Sequence, residues 1–331
     1  SQACLVGTPG PDQYLALGKG AGLFCEAVIL VQILLIFIDG LGLGEDDGHR
    51  NPLVTAATPT WRRLLGGSPL IRAAAPHFAG GVSLVPTDCT LGVPGLPQSA
   101  TGQTAILTGQ NGARVLGRHH NAYPPQPLRE LIARDSILKK VLEGGYTATF
   151  ANAFTPEYFQ LVAAGKRRHS VTTEVTLAAG LPLRQLEDLR EGRAVYQDIT
   201  NESLRERGHD VPIFSPEEAG AILARLSQEY NFTLFEYFQT DRVGHSGNRD
   251  WAERVLNLLD RFYAAVLAGV DLEKTLVVLT SDHGNIEDLA VETHTANPVP
   301  TLLVGRRHRE AAARIRTLTD IAPALLALLD L

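Results

Sequence analysis

The sequence predicts an α/β protein with a doubly wound, mostly parallel sheet flanked by helices and interrupted by a smaller inserted domain. Strand-like apolar runs at 27–38, 81–86, 233–239, 275–280 and 299–304 alternate with helix-like segments, the pattern of crossover connections in a parallel sheet. The most apolar run, AVILVQILLIFI from Ala27 to Ile38, is nearly continuous Val, Ile and Leu, as a strand covered on both faces requires. Between about Val115 and Phe214 the pattern changes. A Pro-rich entry at Tyr123-Pro124-Pro125-Gln126-Pro127 leads into polar, less strand-like sequence. The expected organisation is an N-terminal extension over 1–26, a main domain over 27–114 and 215–331, and an inserted cap over 115–214.

Taken in order, residues 1–26 are Gly-rich and patternless, which suits an extension outside the core. The 27–38 run, with Lys19 upstream, has the look of a signal-peptide core. It falls short of the roughly 20 apolar residues that cross a bilayer, contains Gln32, and is followed at once by Asp39, so a buried strand is the better reading. Pro59 to Leu65 reads as a helix with Thr58 as its cap and Gly66-Gly67 closing it. Ser99 stands before a helix over 100–108. Residues 249–268 form the clearest amphipathic helix. Thr319 and Asp320 cap a last helix through Leu328, with Pro323 in its first turn, where a missing amide hydrogen costs little.

Composition bounds the function. With 331 residues, 44% hydrophobic and 20% charged, the chain has ordinary globular usage and can bury a large core. A net charge of -6 argues against a nucleic-acid scaffold, and the one tight basic cluster is Lys166-Arg167-Arg168-His169. Cys4, Cys25 and Cys89 are an odd number without CxxC spacing, so neither a disulfide framework nor a zinc knuckle is indicated. A reducing, cytoplasmic setting is expected, with no membrane association.

The chemistry-bearing residues sit where strand-like runs end. Asp39 follows ILLIFI and turns into a Gly-rich loop; a buried carboxylate there demands a partner, for which a dication is the strongest choice. Asp241 and His245 are four apart after an apolar run, within one turn of chain. Asp282-His283 directly ends TLVVLTS, and His294 follows in Thr293-His294-Thr295. Carboxylates and imidazoles without thiolates suit zinc, manganese or magnesium. Three ionised aspartates and one serine alkoxide carry four negative charges, which two dications balance. Such a pair clamps the attacking and leaving oxygens of a displacement at phosphorus and activates a serine without a neighbouring base. No GxSxG, GxGxxG or GK[ST] motif competes.

Two long strings carry a resemblance. Asp241-Arg242-Val243-Gly244-His245-Ser246-Gly247-Asn248, and Ser281-Asp282-His283-Gly284-Asn285 with Thr293-His294-Thr295-Ala296-Asn297-Pro298-Val299-Pro300, resemble segments of the alkaline phosphatase superfamily, within it the cofactor-independent phosphoglycerate mutase and phosphopentomutase group. The resemblance covers about 25–66, 80–114 and 215–331 and leaves the insertion unmatched. It implies an alkaline-phosphatase-like fold and two divalent ions, Mn2+ or Zn2+. Asp39, Ser99, Asp282 and His283 would surround one ion, and Asp241, His245 and His294 would hold the other.

The resemblance also implies that Ser99 is the nucleophile. Ser99 lies three residues before Gly102-Gln103, where the mutases have Gly-His, and nine before Thr108-Gly109, the register of the superfamily phosphodiesterases. Thr101 is the alternative nucleophile. The implied activity is phosphoryl transfer through a phosphoserine on a small phosphorylated metabolite, phosphomutase-like. A metal-dependent phosphomonoesterase or phosphodiesterase is the alternative, and a metal-stabilised binding protein without catalysis is the reading from another class. Lys166, Arg167 and Arg168 are candidate substrate contacts from the insertion.

Overall fold

The computed structural model describes residues 31–331. The expected 1–26 extension and the start of the 27–38 run lie outside the described residues. Seven strands make the main sheet: β1 (Gln32–Ile38), β2 (His77–Ala79), β3 (Val82–Thr87), β4 (Ala148–Phe150), β7 (Phe232–Tyr237), β8 (Thr275–Ser281) and β9 (Val299–Gly305), in the order β2-β3-β9-β8-β1-β7-β4. A separate two-stranded sheet pairs β5 (Ala153–Phe154) with β6 (Arg184–Gln185).

Side chains of β1 alternate between two cores, as a doubly wound sheet demands. Ile33, Leu35 and Phe37 join one core with Ile106 and Leu107 of the helix Ser99–Thr108 and Leu128 of the helix Gln126–Asp135. Leu34, Ile36 and Ile38 join the other with Leu223 of Pro216–Ser227 and Leu256, Leu259 and Phe262 of Arg249–Gly269. Both faces of β1 are therefore apolar, which is why its sequence shows no alternation.

The direction of the strands is mixed. β1 runs parallel to β7 and β8, and β4 parallel to β7, as expected. β9 runs antiparallel to β8 and β3, and β2–β3 is an antiparallel hairpin, so the expected parallel order fails for 81–86 and 299–304. The 282–298 segment holds no helix to carry the chain back across the sheet, so β9 starts at the end where β8 stops. Gly80 and Gly81, both at positive φ, form the two-residue turn of the hairpin.

Parallel register aligns the site. Ile38 pairs with Tyr237 and with Ser281, so Asp39, the segment after Tyr237, and Asp282 all emerge at one sheet edge, the C-terminal ends of three adjacent strands. Residues 115–214, expected as one cap, divide. β4 joins the main sheet, and Leu128, Ile137, Leu138, Val171 and Val175 are buried in its core. A small separate cluster of Ala153, Leu186, Leu189, Ala194, Tyr196, Leu204 and Val211 is what stands apart.

Helix ends follow local chemistry, with two departures. The helix Pro59–Leu64 starts after Thr58, but the Thr58 side chain makes no cap bond. The carboxylate of buried Asp260 caps it instead, accepting from Thr60 N at 3.0 Å and Trp61 N at 2.9 Å. Near the C-terminus, the cap is a box between Thr317 and Asp320 rather than Thr319, and the helix is split into Ile321–Leu326 with a 3-10 turn on each side. Among the described residues no helix is long and apolar enough to cross a membrane.

Asp260 yields a stability test. Asp260→Ala removes two charge-assisted bonds and strands two amides at a buried helix start, which should cost about 2–4 kcal/mol in denaturant unfolding. Unchanged stability would contradict the capping role.

Candidate metal centre

Asp39 ends β1 and is followed by Gly40 at φ 74, where a Cβ would come within 2.9 Å of Asp241 Cα. Glycine there lets the β1 loop lie directly against the Asp241 helix, Gln239–Ser246. Within that helix Asp241 and His245 are a turn apart on one face, with His245 Nε2 3.5 Å from Asp241 Oδ1. Gly102 of the Ser99 helix packs as closely on Asp282, since a Cβ would meet its backbone oxygen at 2.8 Å. Small residues thus bring four segments, distant in sequence, to one point.

The structure gathers five of the seven predicted residues in two groups that share His283, with Ser99 against His283 and His245 at the rim. Asp39, Asp282 and His283 each offer a ligand atom within 4.8 Å of the others, and so do Asp241, His283 and His294. His283 Nε2 lies 3.0 Å from Ser99 Oγ, 3.1 Å from Asp39 Oδ1 and 3.6 Å from Asp282 Oδ2. The His283 and His294 rings stack with centroids 3.7 Å apart, and His294 Nε2 is 3.4 Å from Asp241 Oδ1. His245, with 44% of its side chain exposed, stands at the rim outside both groups.

Every imidazole is oriented by a backbone carbonyl. Nδ1 of His283 faces Gly284 O at 3.3 Å, that of His294 faces Pro97 O at 2.8 Å, and that of His245 faces Glu292 O at 2.9 Å. A carbonyl only accepts, so each Nδ1 carries a proton and each ring turns its Nε2 toward the cluster. This also excludes a Ser-His-Asp triad. In a triad the carboxylate holds the imidazole nitrogen remote from the serine, whereas here Asp39 and Ser99 face the same one.

Burial and mutual repulsion perturb the charges. Burial, then the neighbouring Asp282, pushes the Asp39 carboxyl up to about 7. Asp282 is raised as well, first by burial. Burial works against ionising Asp241, but bonds from His294 and Asn285 and the charge of His283 outweigh it and bring Asp241 down to about 2. Burial would likewise discharge His283, yet Asp282 and Asp39 override it and raise the imidazolium to about 10.

These residues fit divalent cations. Asp39 Oδ1 is buried without a hydrogen bond, and the single Nε2 of His283 faces three oxygens at once, more than one proton can serve. The donors are oxygens and imidazole nitrogens, a set suited to hard or borderline dications.

Ser99 is the first residue of its helix rather than the cap, which is Gln98. Thr101 turns its hydroxyl back to the Gln98 carbonyl at 3.0 Å, away from the imidazoles. Lys166, Arg167 and Arg168 are exposed, and among the described residues no hydrogen bond or ion pair links them to the seven. Arg167 rests on the Tyr158 ring and Arg168 on the Tyr123 ring, at 5.4 and 5.1 Å.

Sequence reading missed the supporting shell. Glu287, buried, accepts from Gly42 N at 3.0 Å, Asn285 N at 2.7 Å, Asn297 Nδ2 at 3.0 Å and the Thr295 hydroxyl, tying the β1 loop to the 282–297 loop. Gln103 Nε2 reaches Asp282 Oδ2 at 3.2 Å and Asp39 Oδ2 at 3.5 Å, and Asn285 Nδ2 donates to Asp241 Oδ1 at 2.7 Å. Buried Glu236 on β7, bonded by Thr172 Oγ1 at 2.6 Å, is pushed up to about 7 by burial, with Asp39 contributing. No spacing marks Glu287, and Gln103 was marked only as the residue after Gly102 where the mutases have His. Glu236 sits five before Asp241, a polar residue inside an apolar run, and that was a readable signal.

Residues 215–331 match the family described as Metalloenzyme superfamily. The phosphoglycerate mutase that is independent of 2,3-bisphosphoglycerate from Moorella thermoacetica is 31% identical over 121 residues, 35% of this chain and 23% of that protein. Its counterpart from a Synechococcus strain is 37% identical over 126 residues, 34% of this chain and 24% of that protein. The chain thus spans about a quarter of the length of these relatives. In fold, it resembles a Pyrococcus horikoshii protein, PH0037, at TM-score 0.55 and 18% identity over 92% of this chain and 98% of that one. It also resembles Leishmania mexicana phosphoglycerate mutase at TM-score 0.55 and 10% identity, over 92% and 96% of the two chains. The resemblance read from the motifs is borne out: residues 215–331 match the Metalloenzyme superfamily and phosphoglycerate mutases, and over nearly the whole chain the fold resembles that of a phosphoglycerate mutase.

Proposed function

We propose that this chain is a metal-dependent phosphotransferase that moves a phosphoryl group through Ser99 on a small phosphorylated metabolite, in the manner of a phosphomutase. The observation that carries the reading is the orientation of three imidazoles by backbone carbonyls, each presenting Nε2 to a knot of three aspartates. In this reading Asp39, Ser99, Asp282 and His283 hold one divalent cation and Asp241, His245 and His294 the other, with Mn2+ or Zn2+ the proposed metals. When bound, the cations supply the positive charge that makes the serine hydroxyl ionisable and offsets charge on the phosphoryl oxygens.

The chain's own residues do the rest. Ser99 Oγ forms a bond to phosphorus as the substrate's ester oxygen leaves from the opposite face. The phosphoserine then gives its phosphoryl group to another hydroxyl of the same molecule. The ten-residue helix that Ser99 begins turns its positive end toward the transferred group. Gln103 keeps Asp39 and Asp282 apart at a fixed spacing, and Glu287 fixes the loops that carry His283 and His294. Lys166, Arg167 and Arg168 are the proposed substrate contacts, a role supported by their exposure and their lack of ion pairs among the described residues.

A phosphomonoesterase is the second reading, and the division of residues 115–214 favours it. A mutase must enclose the dephosphorylated intermediate, and among the described residues only the small cluster around Leu189 stands outside the main cores to do so. The cytoplasmic setting remains part of the proposal.

Two outcomes test the reading. Metal-loaded protein given p-nitrophenyl phosphate and a panel of phosphosugars should turn over at least one, and Ser99→Ala should lose at least about a thousandfold in kcat with its fold intact. Isomer without free phosphate supports the mutase, steady phosphate release supports the phosphatase, and an unchanged Ser99→Ala rate refutes the serine route. Metal binding should also release protons. The metal-free His283 imidazolium, raised to about 10, and the Asp39 carboxyl, raised to about 7, must both deprotonate to ligate, so loading at pH 7 should release at least one proton per chain. Calorimetry in buffers of different ionisation enthalpy reads this number, and zero would contradict the ligand assignment.

A further inference from the structure

A cavity of about 800 Å3 lies at the end of the sheet opposite the metal centre, framed by Leu272 and Glu273 before β8 and by Gly305 and Arg306 where β9 ends. The seven residues of β8 separate it from Asp282. At the rise of a strand that is roughly 20 Å, so a small molecule held here does not reach Ser99 or the proposed metal ligands. Part of the lining is apolar and low in relief. The helix Arg249–Gly269 contributes Ala264 and Ala268, one turn apart on the same face, with Leu267 between them in sequence. The hairpin turn Gly80-Gly81 adds bare backbone, where a Cβ would meet nothing within 4 Å. Small side chains and bare backbone let a planar ring approach closely.

The rest of the lining is cationic. Arg306 donates from Nη1 to Glu273 O at 3.2 Å, while its Nε is buried without a hydrogen bond. A buried donor left in that state is uncommon, and a ligand oxygen is the acceptor it lacks. Arg63 is exposed and, among the described residues, makes no hydrogen bond or ion pair. Arg307 is already committed, since Nε and Nη2 donate to the Glu310 carboxylate at 2.7 Å each and Nη1 to Leu328 O at 2.8 Å. His308 is held below the ordinary imidazole value by burial and then by Arg309, and its Nδ1 faces Ser83 Oγ at 2.8 Å. Glu273 is the one acid in the lining, and among the described residues its exposed carboxylate pairs with neither Arg63 nor Arg306. Two guanidinia therefore stand without an ionic partner beside an apolar surface.

We propose that this cavity is a second ligand site, for a phosphate monoester with a flat apolar body, the chemistry of a mononucleotide. Arg306 and Arg63 take the phosphate, and the base lies against Ala264, Ala268 and Leu267. Two guanidinia match the two charges of a phosphate monoester, where a carboxylate would need only one. The volume lies in the range of small-ligand sites and far exceeds what a phosphate alone would fill. The site stands independently of the phosphoryl-transfer reading.

The test is calorimetric titration of AMP, adenosine, inorganic phosphate and decyl phosphate into the full chain, both metal-loaded and stripped of metal. AMP should bind the stripped chain at one site, at least about tenfold tighter than each of the other three, and should keep that site when metal is loaded. Persistence without metal separates this cavity from the phosphoryl-transfer site. Arg306→Ala and Arg63→Ala should each weaken AMP about tenfold, and Ala268→Trp, which fills the cavity from an exposed position, should block it. All three variants should keep the wild-type metal content, which shows that the fold survives. The proposal is overturned by the lack of saturable AMP binding, by binding that requires the metals, or by binding that persists in Arg306→Ala and Ala268→Trp. Adenosine or phosphate binding as tightly as AMP, or decyl phosphate binding more tightly, would equally overturn the assigned ligand class.

Discussion

Three carboxylates held close together, two of them out of water, set the terms for the rest of this molecule. Asp39 and Asp282 are buried at the ends of adjacent strands, and Asp241 approaches from the next helix. Isolated, each would be costly to ionise, and together they repel. The effect is visible in Asp39, pushed up to about 7, and in the compensating rise of His283 to about 10. Protons and imidazoles offset part of the repulsion. Asp39 Oδ1, buried without a hydrogen bond, marks what they leave, and a dication is the partner its surroundings suit.

The sheet exists in a form that makes this crowding possible. Parallel pairing of β1 with β7 and β8 places three chain exits side by side. Gly40, Gly102, Gly244 and Gly284 each sit where a Cβ would strike a neighbouring site loop or side chain. Glu287 then holds the loops in place through four bonds from two loops, so a single buried carboxylate that touches no ligand position fixes the aim of His283 and His294. The ligands converge in a buried, bonded frame that opens to solvent at His245.

Much of this was legible because the chemistry is written in local patterns. β1 announced itself by an unbroken apolar run, and Asp39 by ending it. Asp241 and His245 were readable from helical spacing, and Asp282, His283 and His294 from strings long enough to resemble a family. What was not legible acts across the chain. Glu287, Gln103 and Asn285 work by reaching amides and carboxylates on other loops, and no periodicity records that. Asp260 caps a helix some two hundred residues away. The strands β2 and β4 hold three residues each, too few to show a period. The reversed direction of β9 follows from the missing crossover helix in 282–298, a signal present in the sequence but outweighed by the expectation of regular alternation.

The central claim is that the seven residues form a site for two cations, and metal stoichiometry tests it most directly. Equilibrium dialysis against Mn2+ or Zn2+ followed by elemental analysis should give two ions per chain, falling to one or none when both Asp282 and His283 are replaced by alanine. A wild-type chain that keeps its fold but binds no ion, or a double variant that still binds two, would contradict the account.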